Sequence, residues 1–108
     1  ARLAKVAGVQ YAVFTTKHHN GFCMWGTKTT SFHVLNTPYG KDIVRQYVDA
    51  FRKYGLKVGF YYSPEDFRFL YDHGLTITRT PVEPYAPEIM REYRACAARR
   101  IAHAIRAD

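Results

Sequence analysis

The chain has few cysteines, few acids and no long apolar run, and each shortage removes a class of protein. Its two cysteines, Cys23 and Cys96, lie far apart and form no CxxC pair, so the sequence carries neither a disulfide framework nor a zinc knuckle. They read as free thiols. No HxH or HExxH spacing accompanies the histidines, so metal binding has no pattern to rest on. No stretch of about 18 apolar residues exists, so no membrane-spanning helix is encoded. Acidic residues number 9 against 16 Lys and Arg, a formal charge of +7. Such an excess would favour nucleic acid, but apart from Arg52-Lys53 and Arg99-Arg100 the later basic residues are scattered, and no recognition motif accompanies them. Nucleic acid is therefore not expected as a partner. Most Lys and Arg are expected on solvated helix faces.

What is present is an alternation of helix and strand patterns. Residues 9–16, VQYAVFTT, are β-branched, aromatic and uncharged, which reads as a strand buried on both faces. Asp42 is a good N-cap for a helix that places Ile43, Val44, Tyr47, Val48 and Phe51 on one stripe, and Gly55 ends it. A second buried strand follows in residues 56–62, LKVGFYY, stopped by Ser63-Pro64. Both strands are entered through a helix-ending glycine, Gly8 or Gly55, a weak internal echo of a repeated αβ unit. From Ser63 the chain, with Pro64, Pro81 and Pro84, reads as one long loop. A last helix is expected from about Pro87, with Ile89, Tyr93, Cys96, Ala97, Ile101, Ala104 and Ile105 as its apolar stripe and Arg91, Arg94, Arg99 and Arg106 largely on other faces.

At 108 residues the chain is long enough for one small domain. Yet two strands leave sheet edges and apolar faces uncovered, so neighbours are expected around them. The opening Ala1-Arg2-Leu3-Ala4-Lys5-Val6-Ala7-Gly8 reads as the last turns of a helix, and another strand is due after Asp108. Residues 1–108 are accordingly expected to be an internal piece of one larger α/β domain.

The chemistry concentrates where the first strand ends. Lys17-His18-His19-Asn20-Gly21-Phe22 opens a glycine-containing, aromatic-rich loop, and loops at the carboxyl ends of parallel strands carry ligand sites in α/β sheets and barrels. As a metal site the pair is poor, because adjacent residues in a strand point to opposite faces unless the strand has already ended. A sugar fits better. Imidazole donates or accepts a hydrogen bond to a hydroxyl, and aromatic rings such as Phe22, Trp25, Tyr61 and Tyr62 pack against apolar C–H faces.

Three ordered motifs sharpen this reading. They are residues 15–25, TTKHHNGFCMW, residues 36–44, NTPYGKDIV, and residues 55–63, GLKVGFYYS. With their spacing they resemble the α-L-fucosidases of glycoside hydrolase family 29, well over residues 1–66 and afterwards mainly in the order of elements. The resemblance implies a partial (β/α)8-like, TIM-type barrel with about two βα units present, and exo-acting, retaining hydrolysis of terminal α-linked L-fucose from a glycan. It implies that His18 and His19 hydrogen-bond fucose hydroxyls, that Tyr61 approaches the nucleophilic carboxylate, and that Trp25 lies beside the sugar. No cofactor is implied. Alternation then puts Tyr62 on the opposite face, in the core.

Retaining glycosidases need two carboxyl groups, and neither is evident here. The family's nucleophile is an aspartate on the strand after a helix like the last one, so nucleophile and acid/base are expected outside this chain. Asp108 ends a helical pattern, Asp42 caps a helix, and Asp66 reads as a surface carboxylate near the site. Asn20 stands where the family often has an acid, which loses a charge and keeps a hydrogen-bonding carbonyl. The alternatives are a non-catalytic carbohydrate-binding relative and, more remotely, a basic nucleic-acid module.

Overall fold

The computed structural model describes residues 1–75 and 86–106. In chain order these form helix α1 (Arg2–Val6), strand β1 (Tyr11–Lys17), a short 3-10 turn (Val34–Asn36), helix α2 (Ile43–Lys53), strand β2 (Lys57–Tyr62), helix α3 (Phe67–Asp72) and helix α4 (Pro87–Arg106). The two strands pair in parallel, Tyr11 with Lys57 through Thr15 with Tyr61, and an irregularity before Lys17 brings that residue opposite Tyr62. The fold class is α/β.

Helix α2 forms for the reasons its sequence announces. Asp42 accepts a hydrogen bond from the Arg45 amide at 2.8 Å, capping one of the unpaired N–H groups of the first turn. At the other end the Gly55 amide bonds to the Arg52 carbonyl and the Leu56 amide to the Phe51 carbonyl, the paired closure that a left-handed glycine permits. The same closure ends α1 at Gly8 and α3 at Gly74. The glycine echo is thus one helix-stopping device used three times, at Gly8, Gly55 and Gly74.

Val44 and Val48 pack with Cys23 and Trp25 in the main core, against Phe14, Met24, Tyr47, Val58, Phe60 and Tyr62. The Tyr47 hydroxyl donates to the Ala12 carbonyl at 2.6 Å, fixing the helix to the sheet. The expectation that β1 is buried on both faces is corrected: Tyr11, Val13 and Thr15 are exposed while Ala12, Phe14 and Thr16 face inward. A single helix covers a single face of a sheet.

The long loop expected after Ser63 is also corrected, because it contains α3, capped by Asp66, whose side chain accepts from the Phe69 amide at 2.9 Å. Phe69 and Leu70 form a second core with Cys96, against Phe67, Leu75, Ile89 and Tyr93. On α4 the buried line runs Ile89, Tyr93, Cys96, Arg100, so an arginine takes the inward place and Ile101 is left exposed, contrary to expectation. Pro81, Pro84 and Asp108, with the side chains of Ala104, Ile105 and Arg106, lie outside the described residues.

Candidate substrate-binding site

β1 ends at Lys17, so His18 and His19 lie beyond it and the strand alternation no longer separates them. Their rings sit 4.1 Å apart. The half-exposed Tyr61, near the carboxyl end of β2, lies with its ring 6.0 Å from that of His18. Next to it Tyr62 turns the other way, 6.5 Å from the Trp25 ring in the core, as alternation requires. The parallel register therefore brings His18, His19 and Tyr61 together at one end of the sheet, although more than forty positions separate the histidines from the tyrosine in sequence.

His19 is held by the turn that follows β2. Its Nδ1 is 2.5 Å from the Ser63 hydroxyl and 3.3 Å from a Glu65 carboxylate oxygen, and its carbonyl accepts from the Phe67 amide at 2.7 Å. The loop after the histidines folds back tightly. Asn20 accepts from the Phe22 amide at 3.0 Å, and Gly21 has φ +87. A Cβ on Gly21 would collide with the Asp66 carboxylate and the Arg68 side chain, so only glycine closes this turn. The Met24 amide then returns to the Thr16 carbonyl, and the Met24 carbonyl receives the first amides of α2.

Trp25 is 1% exposed and packs inside the main core, so its ring presents no face to the open end of the strands. Among the described residues its indole nitrogen is buried with no hydrogen-bond partner. Phe22 stacks edge-on against Phe32, with ring centroids 5.1 Å apart. Of the four rings named from sequence, Tyr61 is the most exposed.

Behind the histidines lies a group of charges that the sequence reading missed. Asp66, expected at the surface, is 3% exposed, and so is Arg100, which the expected apolar stripe of α4 does not include, while Lys17 is 1% exposed. Arg100 donates through Nη1 to Asp66 and through Nε to the Thr29 hydroxyl at 2.8 Å. The Lys17 ammonium lies 3.7 Å from Asp66, donates to the carbonyls of Ser63 at 2.9 Å and Glu65 at 2.6 Å, and sits over the Tyr62 ring. Burial pushes the Lys17 ammonium below its ordinary range, with Asp66 opposing that shift. Burial, the largest single influence, would lower Arg100, but Asp66 together with Cys96, Cys23 and Tyr62 outweighs it and the guanidinium is raised. The signal for Asp66 was available: an aspartate just before Phe67-Arg68-Phe69-Leu70 is an N-cap pattern.

The arrangement offers hydrogen bonds to hydroxyl groups from two imidazoles and a phenol. It offers no free buried carboxylate among the described residues: Asp66 is committed to Arg100 and the Phe69 amide, and the exposed Glu65 faces His19. Parallel strands with polar rings at their carboxyl ends place the segment in the α/β class, in which ligand sites lie at such ends. Comparison with known proteins places it further. The family model for alpha-L-fucosidase matches residues 1–100. A putative alpha-L-fucosidase of Caenorhabditis elegans is 33% identical over 94 residues, covering 83% of this chain and 20% of that protein. Alpha-L-fucosidase isoenzyme 1 from Paenibacillus thiaminolyticus is 56% identical, with a TM-score of 0.62, over 63% of this chain and 16% of that one. A family 29 alpha-L-fucosidase of Bacteroides thetaiotaomicron, solved as a trapped covalent intermediate with 2-fluoro-fucosyl fluoride, is 29% identical with a TM-score of 0.79, over 94% of this chain and 22% of that one. The chain belongs to the α-L-fucosidase family. It spans a fifth or less of the length of the curated relatives it matches.

Proposed function

We propose that this chain forms part of the sugar-binding wall of an exo-acting, retaining α-L-fucosidase that removes terminal α-linked L-fucose from glycans. It works within a longer polypeptide whose catalytic domain is a (β/α)8-like barrel, with residues 1–108 supplying about two of its βα units. The observation that carries the reading is the meeting of His18, His19 and Tyr61 at the carboxyl ends of two parallel strands. Such ends carry the active site in a barrel. His18 and His19 bind fucose hydroxyls. Tyr61 donates its phenolic hydrogen to the nucleophilic carboxylate, and that hydrogen bond favours the ionised form a nucleophile requires. The burial of Trp25 supports a different part for that residue, a ring that backs the wall from inside the core. Both catalytic carboxyl groups come from outside this chain, and two carboxyl groups complete a retaining mechanism without a cofactor.

Hydrolysis of an aryl α-L-fucoside tests the proposal. The whole protein is expected to turn it over and residues 1–108 alone are not. His18→Ala is expected to cost the whole protein about tenfold or more in kcat/KM, the worth of one good hydrogen bond, with an unchanged Tm. Fucose binding without turnover by the whole protein would overturn the enzyme reading in favour of a carbohydrate-binding relative.

A further inference from the structure

We propose that Lys17 is a positioning residue: through the Ser63–Glu65 turn it fixes His19 with Nδ1 protonated and turned inward, so that Nε2 meets the ligand as a hydrogen-bond acceptor. This rests on the reading of His19 as a sugar-binding residue and specifies its polarity.

The argument begins with what a buried ammonium requires. Lys17 is fully enclosed, so each of its three N–H donors needs an acceptor, and the structure supplies the carbonyls of Ser63 and Glu65 with Asp66 behind them. Those two carbonyls flank Pro64, whose ring restricts the turn between them. The Ser63 amide in turn donates to the Lys17 carbonyl at 3.0 Å. Ser63 is thereby held to Lys17 through both its amide and its carbonyl, and the residue itself is 0% exposed. Its hydroxyl has one short contact, His19 Nδ1 at 2.5 Å.

The second step is the identity of the proton. A serine hydroxyl can donate or accept, so it leaves the tautomer open, but an ionised carboxylate only accepts. The Glu65 oxygen 3.3 Å from the same Nδ1 therefore favours a proton on that nitrogen. A ring protonated at Nδ1 alone has its lone pair on Nε2, which takes no hydrogen bond among the described residues. A group engaged at one ring nitrogen sets the role of the other. The consequence is a selective contact: the ligand atom at His19 must be a donor, as a sugar hydroxyl is, and an acceptor-only group such as an ether oxygen is refused.

The test uses the whole protein with Lys17→Met, Ser63→Ala and the double variant. Ring nitrogen-15 shifts of His19 are expected to show protonated Nδ1 and unprotonated Nε2 in the wild type. Each single variant is expected to move the ring toward the Nε2–H form, because each releases the ring from the turn that holds Nδ1 beside Glu65. With an aryl α-L-fucoside, each is expected to raise KM about tenfold with a smaller change in kcat, and the double variant no further than the larger single one, because both act through one ring. An Nε2–H ring in the wild type, unchanged shifts in Lys17→Met, or multiplying KM effects would each overturn the proposal. If Lys17→Met does not fold, Ser63→Ala decides the same point, and an unchanged His19 ring there overturns it. If the wild type hydrolyses no fucoside, the fucosidase reading fails by itself, while the nitrogen-15 shifts still decide how Lys17 and Ser63 set the ring.

Discussion

Lys17 and His18 are neighbours in sequence and opposites in environment. One ends β1 inside the protein with its ammonium bonded to two carbonyls beside Asp66, and the other begins the loop outside it with an exposed ring. A single peptide bond separates a buried ion cluster from the open end of the strands that carries the two histidines. The difference teaches that polar residues at one strand end are doing two jobs. The outer set presents polar rings at the open end of the strands. The inner set satisfies itself and holds α4, the Ser63–Asp66 turn and the end of β1 in one relation.

The comparison breaks most visibly at Asp66. Replacing it with alanine leaves two buried cations, Lys17 and Arg100, facing each other without their shared anion, and removes the cap of α3. Loss of one member of a buried ionic group costs about 3–5 kcal/mol. Chemical denaturation of the whole protein should show a loss of that size, whereas His18→Ala should leave the denaturation midpoint unchanged and reduce turnover. A small loss for Asp66→Ala would mean that the inner charges are solvated and the two sets are alike.

The outer set was largely legible in sequence and the inner set was not, for a physical reason. Exposed histidines after a strand and a tyrosine at the end of the next are placed by local pattern plus parallel pairing, both of which periodicity encodes. The tilt of Trp25 into the core needed more than that, since an aromatic ring suits a core and a ligand wall equally. A buried lysine is written the same way as a solvated one. What buries Lys17 is the arrival of Asp66 and Arg100 from positions 49 and 83 residues further on, and no local pattern records that meeting. The helix stripe on α4 misled for a related reason, because its inward slot at Arg100 is paid for by an ion pair and not by apolar burial. The capping and glycine signals, being local, were sound at Asp42, Gly8 and Gly55, and they would have found α3 through Asp66 and Gly74 had they been applied there.

Alkaline pH separates the two regions more gently. Burial beside the cluster pushes the Cys23 thiol from its ordinary 9.0 up to about 11, ahead of the opposing pull of Arg100 and Lys17. An unfolded chain ionises this thiol near pH 9 and the folded one does not until about pH 11. The contribution to stability is therefore complete below pH 9 and is lost as pH rises through 11, by about 2–3 kcal/mol. Cys23→Ala should remove that part of the alkaline slope, read as the difference between the two denaturation profiles from pH 8 to 11. Identical slopes would show that water reaches Cys23 and that the region behind the histidines is less enclosed than its 0% exposure indicates.

The smallest effect expected is the one that isolates burial as the cause. Arg45 and Asp49 form an arginine–carboxylate pair one helical turn apart on α2, at 2.9 Å, with both side chains more than half exposed. The chemistry is that of Arg100 and Asp66, but water screens each charge before and after folding, and such pairs contribute about 0.3–0.5 kcal/mol. Asp49→Ala should therefore shift the denaturation midpoint by about a tenth of what Asp66→Ala does, and added salt should shrink the Asp49 effect while leaving the Asp66 effect nearly intact. Equal costs at the two aspartates would locate the importance of the inner cluster in its ion pairing as such. Unequal costs locate it in enclosure, on which the proposed positioning of His19 by Lys17 also rests.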